Sequence, residues 1–397
     1  MEINLVSDTV TKPSAEMLNA MFAAKVGDDV YKQDPTVNEL EQTLADLFGM
    51  EAALFFPSGT MANQTAIKLH TQPGEQVICD KYSHIYHYEG GGASFNSGVS
   101  CCLVDGKRGM ITADLVRNAI NDPEFYHAPL TSLVSIENTT NKGGGACYDL
   151  QPLQEIKQVC IDHNLKYHLD GARLWNALVA KNQDPKEYGQ IFDTISVCLS
   201  KGLGAPVGSV LIGTKAHIDR AIRVRKLFGG NMRQAGYLAA AGKFAIENNM
   251  LRLADDHKRA KELASVLATK SWVKEVAPTE TNIVIFNVID EINEYDFIDS
   301  VEYVTITDAV NSNAKKGMVD PYNKFYWRMN LSRLDFETLR DTILYMGGKL
   351  NLSMGGQSVN LVTLNNDTYS TRRTVYGLVD RGRLPEVFTT FDFATPE

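Results

Sequence analysis

The sequence predicts an α/β fold with a mainly parallel β-sheet. Between residues 52 and 213, short apolar runs alternate with amphipathic helical patterns, which is typical of parallel strands covered by helices on both faces. Polar motifs follow several of these runs directly, as expected where a ligand binds at the carboxyl ends of strands. The predicted strands are Ala52–Phe56, Gln76–Cys79, Val99–Val104, Ser132–Glu137, Lys166–Asp170, Thr194–Leu199 and Val207–Ile212.

The later part of the chain predicts a smaller α+β domain and an atypical tail. Apolar residues at helical spacing predict helices, and an alternating run predicts a strand at Asn282–Val288. The predicted helices are Leu150–His163, Ala216–Lys226, Gln234–Asn248, Leu251–Lys270 and Asp335–Leu350. We therefore expect an N-terminal arm over residues 1–30, a large domain over 31–235, a partial small domain over 236–310 and a segment of unknown role over 311–397.

Composition argues against several kinds of partner. The 397 residues are 44% hydrophobic and 22% charged, with a net charge of −9. This is ordinary globular composition, and an acidic chain lacks the positive surface that nucleic acid or an anionic membrane attracts. No apolar run reaches the ~20 residues of a membrane span. Six cysteines without a C-x-x-C pair predict no metal site and a reducing, cytoplasmic location.

Lys201 is the leading candidate for a catalytic residue. It stands in the motif Ser-Lys-Gly-Leu-Gly-Ala-Pro-Val-Gly-Ser at 200–209, a turn rich in small residues between two predicted strands. A lysine held in such a turn loses water on several sides, which favours the neutral amine that attacks carbonyl groups. The alternative is an ordinary lysine in a surface turn.

A second motif, His-Leu-Asp-Gly-Ala-Arg at 168–173, places Asp170 at the end of a predicted strand. A carboxylate there suits the ring nitrogen of pyridoxal phosphate in an enzyme that also offers a Schiff-base lysine. Arg173 could bind the cofactor's phenolic oxygen or a substrate carboxylate through its forked guanidinium. Alternatively, Asp170 caps a helix and Arg173 forms a solvated ion pair.

Three further segments offer candidate site residues. Ser58, Gly59 and Thr60 follow a predicted strand and open a helix, so they form a candidate phosphate cradle, although such residues also make ordinary turns. His84 follows another strand and could stack on the cofactor. His127 could act as a base or hold a substrate hydroxyl. Both histidines could equally be plain loop residues.

Residues 1 to about 290 resemble the threonine aldolase family, which implies the aspartate-aminotransferase-like fold (fold type I) of pyridoxal phosphate enzymes. Several motifs carry this resemblance in order along the chain. Besides the motifs at 168–173 and 200–209, they are Ser-Asp-Thr-Val-Thr at 7–11, Gly-Asp-Asp-Val-Tyr at 27–31, Pro-Ser-Gly-Thr at 57–60, Glu-Asn-Thr at 137–139 and Arg-Lys-Leu-Phe-Gly-Gly-Asn-Met-Arg-Gln at 225–234.

The resemblance implies how the cofactor is held. Lys201 would form the Schiff base, Asp170 would hold the ring nitrogen, and His84 would stack on the ring. Arg173 would reach the phenolic oxygen. The residues implied to line the phosphate are Ser58, Gly59 and Thr60.

The resemblance also implies the reaction, a retro-aldol cleavage of L-threonine or L-allo-threonine to glycine and an aldehyde. Ser7 and Arg173 would bind the substrate carboxylate, and His127 would lie near the β-hydroxyl. Arg233 would lie near the cofactor at a subunit border. Such enzymes are usually homotetramers built as dimers of dimers.

The tail departs from this family. The strand, carboxylate-binding arginine and threonine-histidine motif that normally end the small domain are not found. Residues from about 310 to 397 instead resemble part of an uncharacterised family of large bacterial proteins, through motifs at 320–330 and 372–377. We therefore expect a fusion or chimera with its crossover near 295–315, and we do not expect Arg328 to replace the missing arginine.

Two other functions use the same scaffold. One is β-elimination from an amino acid, which needs nearly the same cofactor contacts. The other is a scaffold that binds pyridoxal phosphate but is inactivated by the foreign tail. A dehydrogenase is disfavoured because no G-x-G-x-x-G follows the first predicted strand.

Overall fold

A computed structural model describes residues 5–289 and the backbone of residues 301–305. These residues fall within one compact unit, Met1–Gly317. The expectations for residues 311–397, including the helix Asp335–Leu350 and the role of Arg328, lie outside the described residues. Within the described part, none of the helices combines the length and apolarity that a membrane span requires.

The larger sheet confirms the prediction of a mainly parallel α/β fold. Its strands are β1 (Ala52–Phe56), β2 (Gln76–Asp80), β3 (Ser100–Val104), β4 (Thr131–Glu137), β5 (Lys166–Gly171), β6 (Thr194–Cys198) and β7 (Ser209–Gly213). They are ordered β1-β7-β6-β5-β4-β2-β3. Strands β2 to β6 run parallel to one another, whereas β7 is antiparallel to both β1 and β6.

The predicted strands match the observed ones within two residues at either end. The largest shift is at β7, which begins at Ser209 instead of Val207. The intervening Gly208 has a φ of +130°, and a Cβ at this position would lie 2.7 Å from the Phe55 ring. Because only glycine adopts such a backbone readily, the strand starts after it.

Helices cover the sheet. They are α1 (Ala15–Phe22), α2 (Pro35–Phe48), α3 (Gly59–His70), α4 (His84–His87), α5 (Gly92–Ser97), α6 (Ala113–Ala119), α7 (Leu150–Asp162), α8 (Leu174–Lys181), α9 (Pro185–Ile191), α10 (Lys215–Leu227), α11 (Gly236–Asn249) and α12 (Leu253–Leu267). Strands β2, β6 and β7 are buried along their whole length, as is usual for sheets covered by helices on both faces.

A smaller antiparallel sheet follows α12. It contains β8 (Val273–Val276), β9 (Ile283–Val288) and β10 (Val301–Thr305) in the order β10-β9-β8. The prediction of a strand at Asn282–Val288 is confirmed by β9, which buries Val284, Phe286 and Val288 with Ala260 of α12. The backbone of β10 pairs with β9 along its five residues.

A buried ion pair joins the N-terminal part of the chain to α10. Arg225 donates from Nη2 to Asp29 at 2.7 Å and from Nη1 to the carbonyl oxygen of Phe55 at 2.6 Å. Both charged side chains are only 1% exposed. The pair therefore holds the segment around Asp29 against the end of β1.

We expect Arg225→Met to lower the free energy of unfolding by about 3–5 kcal/mol, because the Asp29 carboxylate would stay buried without its countercharge. Urea denaturation followed by circular dichroism measures the loss. The control is Arg117→Met, which removes an exposed ion pair with Asp114 and should cost less than about 1 kcal/mol. Equal losses in the two variants would contradict the prediction.

Candidate active site

Four parallel strands bring candidate residues to one end of the larger sheet. His84 follows β2, Glu137 ends β4, Asp170 lies near the end of β5, and Lys201 lies in the loop after β6. One potential ligand atom each of His84, Glu89 and Asp170 lies within 4.8 Å of the other two. The predicted convergence of strand-end motifs is thus what the fold produces.

Asp170 is buried, with 2% of its surface exposed. Its Oδ2 accepts a hydrogen bond from Nδ2 of Asn63 at 2.9 Å, and its Oδ1 accepts one from the backbone N–H of Ala172 at 3.1 Å. Helix α8 begins at Leu174, with Arg173 at the N-cap position. Asp170 is therefore not a helix cap, and its carboxylate is held by neutral donors.

Arg173 forms a buried two-pronged ion pair with Asp8. Its Nε and Nη2 donate to the two carboxylate oxygens at 2.7 and 2.8 Å, and Asn282 adds a third hydrogen bond to Asp8 at 3.2 Å. Burial alone would raise the pKa of Asp8, but the charges of Arg173 and Lys201 outweigh it, and the pKa is lowered. The ion pair of Arg173 with Asp8 is therefore buried, and the alternative of a solvated ion pair at Arg173 is wrong.

The same N-terminal segment also contacts the Lys201 loop. Thr11 donates from Oγ1 to the carbonyl oxygen of Lys201 at 3.0 Å, and the N–H of Gly204 donates to that oxygen at 2.8 Å. Lys201 itself is half-buried. Its backbone is therefore fixed from two sides, while Asp8 in the adjacent 3-10 helix holds Arg173.

The N-terminus of α3 provides the candidate phosphate cradle. Ser58 is its N-cap, and the Ser58 Oγ accepts from the N–H of Met61 at 3.2 Å. Backbone N–H groups in the first turn of a helix lack intrahelical acceptors and favour anions; here they include those of Gly59 and Thr60. A Cβ on Gly59 would lie 2.8 Å from Sγ of Cys198, so only glycine allows this approach to β6.

His84 is held by two buried carboxylates. Its Nδ1 lies 3.0 Å from Oε1 of Glu89, and its backbone N–H donates to Oε2 of Glu137 at 3.0 Å. Burial would lower the pKa of His84, but the hydrogen bond to Glu89 and the charges of Asp170, Glu89 and Glu137 outweigh it, and the pKa is raised. Its ring is thus positioned and favours a proton.

Glu137 bridges two loops of the site. Its Oε1 accepts from the N–H of Asn141 at 2.8 Å while Oε2 accepts from His84. Burial, together with the neighbouring charge of Asp170, raises the pKa of Glu137 to about 7. The site therefore contains a carboxyl group that exchanges a proton near neutral pH.

For three other predicted site residues, the structure shows contacts with partners outside this group. Ser7 caps the 3-10 helix beside Asp8, accepting from the N–H of Thr9 at 3.2 Å. His127 is exposed in the loop before β4, with its ring 4.0 Å from that of Tyr126. Arg233 has a side chain 60% exposed and bonded to Asp28 at 2.8 Å.

Some residues of the site were missed by the sequence analysis. Asp8 and Glu137 stand inside motifs that were identified, but no role was assigned to them. Asn63 lies one helical turn beyond the Ser58–Thr60 segment, so its position on α3 was a usable signal. Glu89 lies outside the identified motifs, and only the fold brings it to His84 and Asn63.

Comparison with known families divides the chain in two. Residues 4–291 match the family described as beta-eliminating lyase. Residues 302–397 match a second family, described as a protein of unknown function (DUF1553). The gap between the two matches, residues 292–301, overlaps the region 295–315 where a crossover was expected, and the second match fits the expectation of a chimera.

Curated relatives that match the N-terminal part of the chain are named low specificity L-threonine aldolases. The chain is 44% identical over 290 residues to the low specificity L-threonine aldolase of Escherichia coli, covering 73% of this chain and 85% of the relative. It is 40% identical over 288 residues to the low specificity L-threonine aldolase of Saccharomyces cerevisiae, covering 72% and 73%.

A solved structure, the threonine aldolase of Leishmania major, aligns with a TM-score of 0.66 at 21% identity and covers 77% of this chain and 93% of that one. At this identity the likeness supports the fold, and it agrees with the α/β architecture described above. The family match over residues 4–291 and the sequence relatives lead to one conclusion: the chain belongs to the beta-eliminating lyase family and is similar to its low-specificity L-threonine aldolases.

Proposed function

We propose that this protein is a pyridoxal phosphate-dependent aldolase that cleaves β-hydroxy-α-amino acids, L-threonine or L-allo-threonine, to glycine and an aldehyde. The observation that carries the proposal is the buried Asp170 carboxylate at the end of β5, with Lys201 following the adjacent strand. The named activity of the sequence relatives supports the same carbon–carbon lyase chemistry.

The residues present fit pyridoxal phosphate. The donor set combines a buried carboxylate, an amine on a half-buried loop, a half-buried imidazole and the N-terminus of a twelve-residue helix. These match the ring nitrogen, the aldehyde, the ring face and the phosphate of this cofactor. When bound, pyridoxal phosphate supplies an aldehyde that condenses with amines and a ring that accepts the electron pair of a bond breaking at Cα.

Several residues of the chain would hold the cofactor. Asp170 would hold a proton at the ring nitrogen, Lys201 would bind the aldehyde, and His84 would lie against the ring. Ser58, Gly59 and Thr60 would bind the phosphate. The buried Asp8 carboxylate keeps the Arg173 guanidinium in place.

Substrate binding and proton transfer involve a second group. We assign Arg173 and Ser7 to the substrate carboxylate, and His127 to the β-hydroxyl, whose proton must leave as the Cα–Cβ bond breaks. Arg233 is assigned to the cofactor region at a subunit border. His127 and Arg233 are exposed in the single chain, which is consistent with a site completed by a neighbouring subunit.

We also propose a homo-oligomer, a dimer of dimers, located in the cytoplasm. Large aromatic side chains are strongly exposed in the single chain, among them Phe22 at 81%, Phe95 at 90% and Tyr126 at 85%, and exposed apolar surface favours association. All six cysteines are free thiols, as is usual in a reducing compartment.

The main alternative is β-elimination, which the family's description favours. The residues that hold the cofactor would be the same, so the fold does not decide between the reactions. Release of acetaldehyde from threonine supports the aldolase, whereas release of pyruvate from serine or cysteine supports elimination. A protein that binds the cofactor and yields neither product would be an inactive chimera.

Replacing Lys201 with alanine should abolish turnover and let pyridoxal phosphate be removed by dialysis, because the covalent attachment point is lost. Borohydride reduction followed by peptide mapping locates the attachment in the wild type. Lys270→Ala, at an exposed position, is the control and should keep both properties. An active Lys201→Ala protein would overturn the assignment.

Asp170→Asn should retain the cofactor but lower kcat by about 10²–10³-fold, because the ring nitrogen loses its charged partner. Steady-state kinetics with L-threonine measure the change. Asp162→Asn, on the exposed face of α7, serves as the matched control. A near-normal kcat for Asp170→Asn would count against its role.

Glu137 should make stability fall as pH rises towards neutrality. Its pKa is raised to about 7 in the folded protein, so between its ordinary pKa and about 7 the folded state binds more protons than the unfolded state. As the pH rises from about 5 to about 8, the stability of Glu137→Gln should therefore increase relative to that of the wild type by about 2–3 kcal/mol. Urea denaturation of both proteins across this range measures it; parallel pH curves would refute it.

A further inference from the structure

We propose that Asn63 is a positioning residue for the reaction: its side-chain amide fixes the carboxylate of Asp170 and ties it to a buried network of neutral groups. The inference rests on the proposed function, since its consequence is the protonation of the cofactor's ring nitrogen. Asn63 lies on α3, is 2% exposed, and has no role among the residues assigned above.

The nitrogen side of the Asn63 amide faces two carboxylates. Nδ2 donates to Oδ2 of Asp170 and to Oε1 of Glu89, each at 2.9 Å. An amide nitrogen has two hydrogens, and here each carboxylate takes one. A hydrogen bond donated to a carboxylate favours its ionised form, so Asn63 supports two negative charges without adding one.

The oxygen side of the amide faces a hydroxyl donor and a histidine ring. Oδ1 accepts from Oγ of Ser196 at 2.6 Å and lies 3.2 Å from Nε2 of His168. Burial lowers the pKa of His168 to about 4, so the ring is neutral, and its Nδ1 also lies 3.2 Å from the carbonyl oxygen of Thr194. A flipped amide would point its oxygen at two carboxylates, so the orientation is fixed from both sides.

The network continues behind His168. Its Nδ1 lies 3.0 Å from Oγ1 of Thr194, and that hydroxyl lies 2.9 Å from Nε2 of His70. Burial also lowers the pKa of His70 well below its ordinary value. The chain of groups from His70 to Asn63 therefore adds no charge behind the amide, and at its end Asn63 donates to Asp170.

The charged groups facing Asp170 come from neighbouring elements. Glu137 is its register partner on β4, and Glu89 shares the Asn63 nitrogen. His84 stands beside Glu89 and its pKa is raised partly by Asp170. A fourth carboxylate, in place of the Asn63 amide, would remove the donors and add repulsion. The cluster of carboxylates would then take up a proton, and Asp170 would lose its hold on the ring nitrogen.

The test uses Asn63→Asp loaded with pyridoxal phosphate that carries ¹⁵N at the ring nitrogen. In the wild type the ¹⁵N chemical shift should report a protonated nitrogen. In Asn63→Asp the pH at which this nitrogen loses its proton should fall by at least about one unit, with kcat lowered at least about tenfold and KM changed far less. Asn63→Ala, which removes the donors without adding charge, should shift in the same direction by a smaller amount.

The matched control is Asn176→Asp. Asn176 is 3% exposed, and its Oδ1 lies 3.0 Å from Nε2 of His257, which is not one of the residues assigned to the site. This variant should be destabilised without any change in the ¹⁵N titration. If the wild type binds the cofactor but the ring nitrogen titrates at the same pH in both Asn63 variants, the assignment of Asn63 is overturned and the proposed function stays intact. A shift in Asn176→Asp as large as that in Asn63→Asp also overturns it, whereas a wild type that attaches no cofactor overturns the proposed function itself.

Discussion

Burying carboxylates at the ends of parallel strands is the constraint on which this site depends. A charge moved into the interior costs several kcal/mol unless it is compensated, and the chain solves the problem in two ways. Asp8 is neutralised by the guanidinium of Arg173, with which it shares two hydrogen bonds. Asp170 is held instead by the amide of Asn63 and a backbone N–H. The first arrangement cancels its charge internally, and the second preserves a negative charge for a cationic group of a ligand.

In the N-terminal 3-10 helix, the contacts that compensate the buried charge of Asp8 also hold separate parts of the fold together. Asp8 contacts Arg173 at the start of α8 and accepts from Asn282 just before β9. Three residues on, Thr11 bonds the backbone of Lys201. One short segment thus joins two loops of the larger sheet to the smaller sheet. Because Asp8 and Arg173 are buried and paired, displacing any of these elements would expose or separate charges.

Much of this fold could be predicted because burial leaves a pattern in the sequence. Strands covered on both faces are continuous apolar runs, and motifs that follow them must converge at one end of a parallel sheet. The direction of a strand could not be predicted in this way, since a strand such as β7 has the same apolar pattern whether it runs parallel or antiparallel to its neighbours. The contact between Asn63 and Asp170 joins residues 107 positions apart, and neither residue type by itself indicates the other. The place of Glu89 in the site could not be predicted for the same reason.

The smaller sheet contains strands from both sides of the boundary between the two family matches. The first family match ends at residue 291 and the second begins at residue 302, yet the backbone of Val301–Thr305 pairs with Ile283–Asn287 in continuous antiparallel register. The outermost strand is therefore supplied almost wholly by the second family. Cutting the chain at the boundary would leave the N–H and C=O groups along that side of β9 open to a strand from another molecule, which is a common route to aggregation. The first few residues of the fused segment thus supply the strand that pairs with the backbone groups along that side of β9.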